Sequence, residues 1–381
     1  MPIDRIEQTA FQFDNYLGSR GLVYEPQTKA DLLAAVLSSQ FVLFAGPSGT
    51  GKSTAALALA EFFAPDSRRA TIAVERTWET PQDVVGSYSS FAQYFLARPG
   101  LDQLEKAVVL EGAEDGSDES RTPVVVVEEA NLSPLEGYLN PVLHGLSAPA
   151  STSIKWALHP LAQNAARSGE EGAPLTVPPE LTLGPWPRFL GTINVDHTAI
   201  APARKVSGRA CVVLLEPMEE AAAAAGIEAL WKGVGSGDRD VGPEELLHDP
   251  RTALASVLHS AALTSLAASL DNVIGSLRDS IGANPVSKRD EQRCLLFMAS
   301  FCEIAPHVPG FTAEDLQLVA AENAVLHFVL PGLTPQQFGV ATDLFREPLT
   351  GSLLRSRCAR LVPDDADMTL GYAVDYWTAL S

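Results

Sequence analysis

The sequence predicts an α/β fold: a parallel five-stranded sheet with helices on both faces, followed by a helical C-terminal region. Three observations predict it. A strand runs through a glycine-rich turn into a helix at residues 41–54, further aliphatic strands alternate with helical segments up to residue 217, and alanine- and leucine-rich helical patterns dominate from Met218 onward. Alternation of strands and helices is typical of parallel sheets covered on both faces. We therefore place a domain boundary near residue 217.

Length and composition indicate a globular protein with two or three domains. The chain has 381 residues, of which 46% are hydrophobic and 19% are charged, and this length exceeds that of one compact core. The formal net charge is −20, from 27 basic and 47 acidic residues. This charge argues against a broad nucleic-acid-binding surface and against attachment to an anionic membrane. A local basic pore inside an oligomer would remain compatible with it.

The cysteines and the apolar segments indicate a cytoplasmic protein. No cysteine belongs to a C-x-x-C pair or has clustered histidines, so we expect reduced thiols rather than disulfides or a metal site; they are Cys211, Cys294, Cys302 and Cys358. The opening segment MPIDRIEQTAFQFD carries early acids and no apolar core, so no signal peptide is expected. The longest uncharged run, residues 252–270, is interrupted by polar residues and predicts a buried helix rather than a membrane span.

Before the glycine-rich turn, the sequence predicts a small lead-in and one helix. Residues 1–25 contain only short apolar clusters. Residues 28–31, Thr-Lys-Ala-Asp, have the pattern of a capping box in front of an apolar stripe, and the helix that follows delivers the chain to the first strand at 41–44. We therefore expect domains at 1–25 (lead-in), 26–217 (α/β core) and 218–381 (helical region).

Four further strands are predicted after the turn, at residues 71–74, 124–127, 188–194 and 211–215. The second of these consists of four valines, which suit a central parallel strand covered on both faces. Residues 76–83 predict a turn-rich loop, and a mixed helical segment follows up to Ala107. The acidic residues 111–120 predict a surface loop, and residues 150–187 an excursion with a short hairpin or irregular loops. Helices are expected at 253–277 and 291–302.

The turn itself has the spacing G-x-x-x-x-G-K-S of a phosphate-binding loop. It comprises Gly46, Pro47, Ser48, Gly49, Thr50, Gly51, Lys52 and Ser53, with Thr54 opening the helix. Glycines allow successive N–H groups to converge on phosphate oxygens, and the helix directs its positive end at the same anion. Lys52 would reach the β- and γ-phosphates of a nucleotide, and the Ser53 hydroxyl would be a Mg²⁺ ligand. The alternative is a flexible surface loop, in which the match to all eight positions of the motif would be a coincidence.

Two carboxylates end the valine strand. Nucleotide hydrolysis needs a metal partner and a group that activates water. We expect Glu128 to hold Mg²⁺ directly or through water, and Glu129 to polarise the attacking water. The alternative is that both acids are solvated residues at the end of a strand.

Two polar residues near the last strands complete the predicted site. Asn194 ends the fourth strand and could hydrogen-bond the attacking water or the γ-phosphate; the alternative is a simple turn at residues 194–196. Arg209 precedes the fifth strand and could act on the nucleotide of a neighbouring subunit. The alternative is a surface charge cluster with Arg204 and Lys205.

With these elements together, the chain resembles the AAA+ superfamily, and within it the McrB-like branch of restriction-type motors. The stretches that carry the resemblance are FVLFAGPSGTGKST, TWETPQDVVGSY, VVVVEEANLSPLEGYL, RFLGTINVDHT and KVSGRACVVLLEP. The C-terminal half is similar only in the order of short segments around residues 287–289, 329–333 and 375–377. The resemblance thus covers roughly residues 25–381 and is specific in the α/β part.

The resemblance implies a strand order of 5-1-4-3-2, a helical lid and assembly into a homo-oligomeric ring, commonly a hexamer. It assigns the phosphate loop to residues 46–53, the metal and water roles to Glu128 and Glu129, a sensor role to Asn194 and an arginine finger to Arg209. It also suggests that Arg289 reaches the nucleotide from the lid. Trp78 and Asp83 match a loop that faces the ring interior in relatives; a buried tryptophan that holds this loop is an equally good interpretation.

This chain departs from the family pattern at three points. Relatives carry Asp-Glu where this chain has Glu128-Glu129, and the extra methylene moves the metal-side carboxylate enough to slow hydrolysis. Gly208 replaces the acid that often precedes the finger arginine. The expected lead-in, residues 1–25, is too short for a separate DNA-recognition domain, so we expect any DNA targeting to come from a partner.

Two functional hypotheses follow from the sequence. The first is a Mg²⁺-dependent hydrolase of ATP, or less expectedly GTP, that drives remodelling or translocation, with a separate effector or nuclease subunit as in restriction or anti-phage systems. DNA would be contacted only through the pore or the partner. The second is a nucleotide-gated scaffold that binds NTP, assembles and recruits an effector with little turnover. A small-molecule kinase fits the long helical half and the polar end of the fourth strand poorly.

Overall fold

A computed structural model describes residues 3–108, 122–147, 153–167, 176–184, 186–195, 200–216, 262–281, 286–346 and 376–377. The strands in this part are β1 (Phe41–Gly46), β2 (Arg69–Ala73), β3 (Gly86–Ser89), β4 (Tyr94–Ala97), β5 (Val124–Glu128), β6 (Ile154–Ala157), β7 (Ala165–Arg167), β8 (Thr176–Val177), β9 (Glu180–Leu183), β10 (Arg188–Asn194) and β11 (Cys211–Leu214).

The helices, numbered in the same way, are α1 (Ile3–Ser19), α2 (Pro26–Ser38), α3 (Lys52–Phe63), α4 (Pro81–Val85), α5 (Pro99–Glu105), α6 (Leu135–Tyr138), α7 (Asn140–Gly145), α8 (Arg204–Ser207), α9 (Ala262–Ile281), α10 (Lys288–Ile304), α11 (Leu316–Ala324) and α12 (Pro335–Arg346). Short 3₁₀ turns and one π-helical stretch, Val325–Val329, connect some of them.

The main sheet has five parallel strands in the order β11-β1-β10-β5-β2. Numbered along the chain, these strands are arranged 5-1-4-3-2. All six residues of β1 and the four valines of β5 are buried, because helices cover both faces of the central strands. The predicted α/β fold with a parallel five-stranded sheet is confirmed. All five predicted strands are present, each within two residues of its predicted start.

A second, smaller sheet lies in segments that the sequence analysis predicted differently. Strands β3 and β4 form an antiparallel hairpin within residues 76–107, where a turn-rich loop and then a mixed helical segment were expected. The expected loop also contains α4, which begins in a capping box of Thr80 and Asp83. The uncharged tip of the hairpin leaves Phe91 100% exposed. The helical prediction is wrong for the hairpin because tyrosine and phenylalanine favour strands in segments this short. It holds for the end of the segment, where α5 is helical.

The excursion between β5 and β10 does contain antiparallel pairs. Strand β6 pairs with β9, and β7 pairs with β8. Strand β7 also pairs in parallel with β4, so the excursion joins the hairpin in one four-stranded sheet of order β3-β4-β7-β8. The predicted hairpin is thus present, and its neighbour in the sheet comes from a distant part of the chain.

The N-terminal part is more helical than predicted. Residues 3–19 of the expected lead-in form the helix α1, whose residues Phe13 and Leu17 are buried. Helix α2 begins at Pro26, two residues before the predicted capping box, because proline is well suited to the first turn of a helix. Asp31, predicted to cap the helix, instead lies buried inside it.

Beyond residue 217, the described residues form only helices, as expected. Helix α10 packs against α2, and the π-helical stretch packs against β11. The two expected helices at 253–277 and 291–302 correspond to α9 and α10, and the beginning of the former, up to residue 261, lies outside the described part. The acidic segment 111–120 lies outside it as well. None of the described helices combines the length and the apolar character needed to cross a bilayer.

Buried polar contacts join the helical region to the sheet. Asn323 donates from Nδ2 to Oδ1 of Asp31 on α2 at 2.7 Å. Nδ1 of His327 lies 2.9 Å from the carbonyl oxygen of Val212 on β11, and its Nε2 lies 3.5 Å from Asp31. Asp31, Asn323 and His327 are all almost fully buried. We call these three residues the interior bridge.

Candidate nucleotide site

The predicted phosphate loop lies at the carboxyl edge of the main sheet, between β1 and α3. Gly46 has φ 155°, Gly49 φ 84° and Gly51 φ 80°, and the last two lie in the left-handed region that favours glycine. A Cβ on Gly46 would stand 2.3 Å from the carbonyl oxygen of Leu215, which follows β11. The loop therefore depends on glycine both for its conformation and for its close approach to the neighbouring strand.

Helix α3 begins directly at Lys52, with Gly51 as its N-cap. The amide of Ala55 binds the carbonyl of Gly51, and the N–H groups before it have no carbonyl within the helix to bind. Ser53 is half-buried at this end, and Thr54 is exposed. The strand, loop and helix thus form the arrangement in which backbone N–H groups and a helix terminus receive an anion.

Lys52 lies inside the loop rather than on its surface. Its side chain is 6% exposed, and Nζ donates to the carbonyl oxygen of Pro47 at 2.6 Å. The hydroxyl of Thr50 donates to the same oxygen at 3.0 Å. The ammonium group is therefore held over the loop by a neutral acceptor, at a place where a phosphate oxygen would be a stronger acceptor.

Tyr24 was missed in the sequence analysis and lies beside this loop. Its hydroxyl lies 3.4 Å from the carbonyl of Gly51. Burial raises the pKa of Tyr24 to about 12, so the phenol is neutral at pH 7. No spacing rule connects a tyrosine in the lead-in to a loop that follows it only after α2 and β1, and only the fold brings them together.

Glu128 and Glu129 lie at the same edge of the sheet. Glu128 is the half-buried last residue of β5, and Glu129 is exposed immediately after it. Glu129 has φ 51° and ψ 44°, a left-handed conformation that is uncommon for a residue other than glycine. Strained backbone of this kind is concentrated at functional sites, where surrounding contacts hold it in place.

Asn194 lies level with the first glycine of the loop. It is the register partner of Gly46 between β10 and β1, and the next amide, of Val195, donates to the Gly46 carbonyl at 3.2 Å. The parallel pairing of β1 and β10 therefore places Asn194 beside the start of the loop. The alternative turn at 194–196 extends beyond the described residues.

Metal ligation at this edge would rest on few protein atoms. Among the described residues, no group of three or more His, Cys, Asp or Glu side chains could hold a metal ion. Mg²⁺ at phosphate sites is usually held by one or two protein oxygens, substrate phosphates and waters. Ser53 and Glu128 fit that donor set, because both are partly accessible at the edge that carries the phosphate loop.

Arg209 lies at the opposite edge of the sheet. Cys211, the first residue of β11, pairs with Val42, four residues before Gly46 and therefore roughly 13 Å from it along the strand. Arg209 precedes that point by two more residues. Its Nε donates to Ser147 at 2.8 Å, and its Nη1 donates to the Lys205 carbonyl at 2.7 Å. This arginine cannot reach the loop of its own chain.

Arg289 also lies at that opposite edge. Partial burial and the nearby charge of Arg289 lower the pKa of Arg209, and Arg289 lines a cleft of about 300 Å³ together with Arg204 and Gly208. The structure therefore places Arg289 beside the predicted finger, and its predicted contact with a nucleotide stays a prediction. We call Arg204, Arg209 and Arg289 the arginine cluster.

Trp78 and Asp83 hold the segment after β2 in place. Trp78 is 5% exposed and packs against Tyr138 with ring centroids 5.6 Å apart, which fits the buried interpretation of this tryptophan. Asp83 accepts from the amides of Glu79 and Thr80 and from the Thr80 hydroxyl. These bonds lower the pKa of Asp83, so its charge caps α4.

Comparisons with known proteins identify no family for this chain. No family model matches the sequence, and no curated protein matches it. Among solved structures, a "putative ATPase" from Cytophaga hutchinsonii is similar at 14% identity and a TM-score of 0.49, covering 91% of this chain and 98% of that chain. A likeness of this degree assigns neither a family nor an activity. The structure shows an α/β protein with a glycine-dependent loop at the carboxyl edge of a parallel sheet.

Proposed function

We propose that this protein is a Mg²⁺-dependent nucleoside triphosphatase. One observation carries the proposal: the carboxyl edge of one parallel sheet gathers a glycine-dependent phosphate loop, two consecutive carboxylates and Asn194. Ligands of open α/β sheets bind at this edge. Loop, acids and amide are the components that phosphoryl transfer to water requires.

Each side chain has a role that its position supports. Lys52 would leave the Pro47 carbonyl for the β- and γ-phosphate oxygens, and Ser53 and Glu128 would hold Mg²⁺. Bound Mg²⁺ supplies neutralisation of the charge that develops on the phosphate oxygens. Glu129 would accept a proton from the attacking water, and Asn194 would orient that water or the γ-phosphate.

The arginine cluster supports assembly of several copies. The predicted loop has no described arginine of its own chain assigned to it, whereas Arg209 and Arg289 stand together at the far edge. A neighbouring copy would present this edge to the loop and stabilise the transition state, which a ring of subunits permits for every site. The family resemblance suggests six subunits.

The resemblance also supports the finer parts of the proposal. We favour ATP over GTP because ATP is the commoner fuel of AAA+ proteins. The McrB-like segments suggest a motor subunit of a restriction or anti-phage system that acts in the cytoplasm with a separate effector or nuclease. With a net charge of −20, this chain would contact DNA only through a pore or a partner.

The test is steady-state phosphate release by the purified full chain with ATP and with GTP, each with and without Mg²⁺. Lys52→Ala should abolish turnover, and Glu129→Gln should lower kcat roughly 10²- to 10⁴-fold while nucleotide still binds. Lys155→Ala, at a surface lysine paired with Glu180, is the matched control and should behave as wild type. Turnover that survives Lys52→Ala would sink the proposal.

A nucleotide-gated scaffold is the second candidate. The longer carboxylate Glu128 in the metal position favours it, because a displaced metal ligand slows chemistry more than binding. The two candidates differ in one paired measurement of oligomer mass and hydrolysis rate on the same sample. Nucleotide-dependent assembly with negligible turnover selects the scaffold, and assembly with steady turnover selects the hydrolase.

A further inference from the structure

The backbone pairing between β5 and β10 ends before the proposed catalytic residues Glu129 and Asn194. The last paired residues of β5 and β10 are Val127 and Gly191. Beyond them, β10 continues straight to Asn194, while the chain after β5 turns away through the left-handed Glu129. Backbone pairing therefore does not hold Glu129 and Asn194 relative to each other.

Beyond the last backbone pair, side-chain hydrogen bonds connect the two segments. The amide of Glu129 donates to Oγ1 of Thr192 at 2.9 Å. The side-chain amide of Asn131 forms two bonds to the backbone of Asn194: its Oδ1 accepts from the Asn194 N–H at 3.1 Å, and its Nδ2 donates to the Asn194 carbonyl at 2.7 Å. Asn131 thus imitates the peptide group that a paired strand would present.

Both supporting side chains are shielded from water, which makes their bonds costly to lose. Thr192 is 2% exposed and Asn131 is 4% exposed. A buried polar group whose partner is removed loses its hydrogen bond without regaining one from water. Asn131 also donates to the carbonyl of Ile200 at 3.3 Å, so it binds the backbone of a residue shortly before α8 as well.

Glu129 is restrained on both sides of its α-carbon. Its N–H binds Thr192, and its carbonyl accepts from the amide of Leu132 at 2.9 Å. A left-handed non-glycine residue persists only where neighbouring contacts over-determine it. These two bonds provide that restraint, so the carboxylate of Glu129 extends from a fixed backbone position.

We propose that Thr192 and Asn131 are positioning residues that lock the water-activating Glu129 and the sensor Asn194 into one rigid unit. This inference rests on the proposed hydrolase function. Neither residue would touch the nucleotide; each would act through the backbone of a residue that does. Their loss should lower the rate of the chemical step and leave nucleotide binding unchanged, because the bonds of the two side chains described above go to Glu129, Asn194 and Ile200 and not to the phosphate loop.

The test compares Thr192→Val with Thr192→Ser, and Asn131→Ala with Asn131→Asp, in the full chain. Valine keeps the shape of threonine but has no acceptor for the Glu129 amide, whereas serine keeps the hydroxyl. Displacement of a catalytic group by about 1 Å can cost roughly 10²-fold in rate. We expect kcat to fall by about that factor in Thr192→Val and Asn131→Ala, with Kd for a fluorescent ATP analogue within twofold of wild type. Thr192→Ser should keep most of the rate. Asn131→Asp should lose at least as much as Asn131→Ala, because it places a buried carboxylate oxygen where Nδ2 donates to the Asn194 carbonyl.

Three controls separate this inference from its alternatives. Thr71→Val, at an exposed threonine of β2, should leave both constants unchanged. Amide exchange of Glu129 and Asn194 should accelerate in Thr192→Val and Asn131→Ala while the rest of the sheet stays protected, which identifies a folded variant. If wild type itself hydrolyses nothing, the proposed function has failed. If wild type is active and Thr192→Val keeps its kcat, or loses kcat and nucleotide affinity together, the positioning role is wrong.

Discussion

The two edges of the main sheet differ in how complete they are. At the carboxyl edge, the phosphate loop, two acids and Asn194 come from three adjacent strands of one chain and are tied together by backbone and side-chain hydrogen bonds. At the amino edge of β11, Arg204 and Arg289 line a cleft together with Asp290. Arg209 lies beside Arg289 and donates to Ser147 and to the Lys205 carbonyl. The carboxyl edge has the features of an anion site within one chain. Among the described residues, the amino edge gathers arginine side chains without such a site.

Within one chain, the predicted phosphate loop and Arg209 therefore lie at opposite ends of the strands. Cations that are placed together repel each other, which contributes to the lowered pKa of Arg209 beside Arg289. An anion from outside the chain would stabilise such an arrangement. Under the proposed function, the phosphates of a nucleotide held by a second copy would be that anion.

The largest effect is expected for Arg209→Ala. A finger arginine is worth roughly 10³–10⁵ in kcat, so we expect phosphate release to fall about 10³-fold while binding of a fluorescent ATP analogue persists. Arg98→Ala, at an exposed arginine near the second sheet, should change neither value.

Mixing two inactive variants sharpens this prediction. Subunits with Lys52→Ala keep the arginine cluster, and subunits with Arg209→Ala keep the phosphate loop. A mixture should regain a measurable fraction of activity, because sites between unlike subunits are complete. Phosphate release that stays at the level of the separate variants would show that Arg209 acts within its own chain or not at all.

A smaller effect is expected for Arg289→Ala. A hydrogen bond to a charged group contributes about 1.5–3 kcal/mol, so the rate should fall roughly 10- to 100-fold. In the same mixing assay, Arg289→Ala should be complemented by Lys52→Ala, as Arg209→Ala is. Complementation of one arginine without the other would separate two residues that the structure places side by side.

The smallest predicted change concerns the complete edge. Glu128→Asp shortens the metal-side carboxylate by one methylene and should raise kcat roughly two- to fivefold at saturating Mg²⁺, since misplacement of a ligand slows the chemistry. The prediction is checked by measuring the hydrolysis rate over a range of Mg²⁺ concentrations, which gives both kcat and the half-maximal Mg²⁺ concentration. A lower rate in this variant would mean that the site is built around the longer side chain.

The difference between the edges also explains what sequence reasoning could and could not predict. The five strands, the loop and the meeting of Glu128, Glu129 and Asn194 follow from local patterns, because parallel strands bring their carboxyl ends to one edge. The supports Thr192 and Asn131 were missed, although both lie within predicted motifs, since a side chain that replaces a ladder bond has no spacing signature.

The remaining errors arise from contacts between distant segments. The hairpin of β3 and β4 gains its partner strand β7 from beyond β5 and β6 in the chain, so its local pattern alone looked helical. The position of Arg289 depends on how the C-terminal helices pack on α2 and β11, which no periodicity reveals. The contact between Tyr24 and Gly51 likewise depends on the packing of distant segments and has no local sequence signal.

The interior bridge has a mechanical consequence. Asn323 and His327 anchor the C-terminal helices to α2 and β11 through buried polar contacts, and sliding these helices over the sheet would break the bond from Asn323 to Asp31 in a dry interior. The described C-terminal helices should therefore stay fixed on α2 and β11. In the ring that we propose, nucleotide-driven movement would then occur between whole subunits.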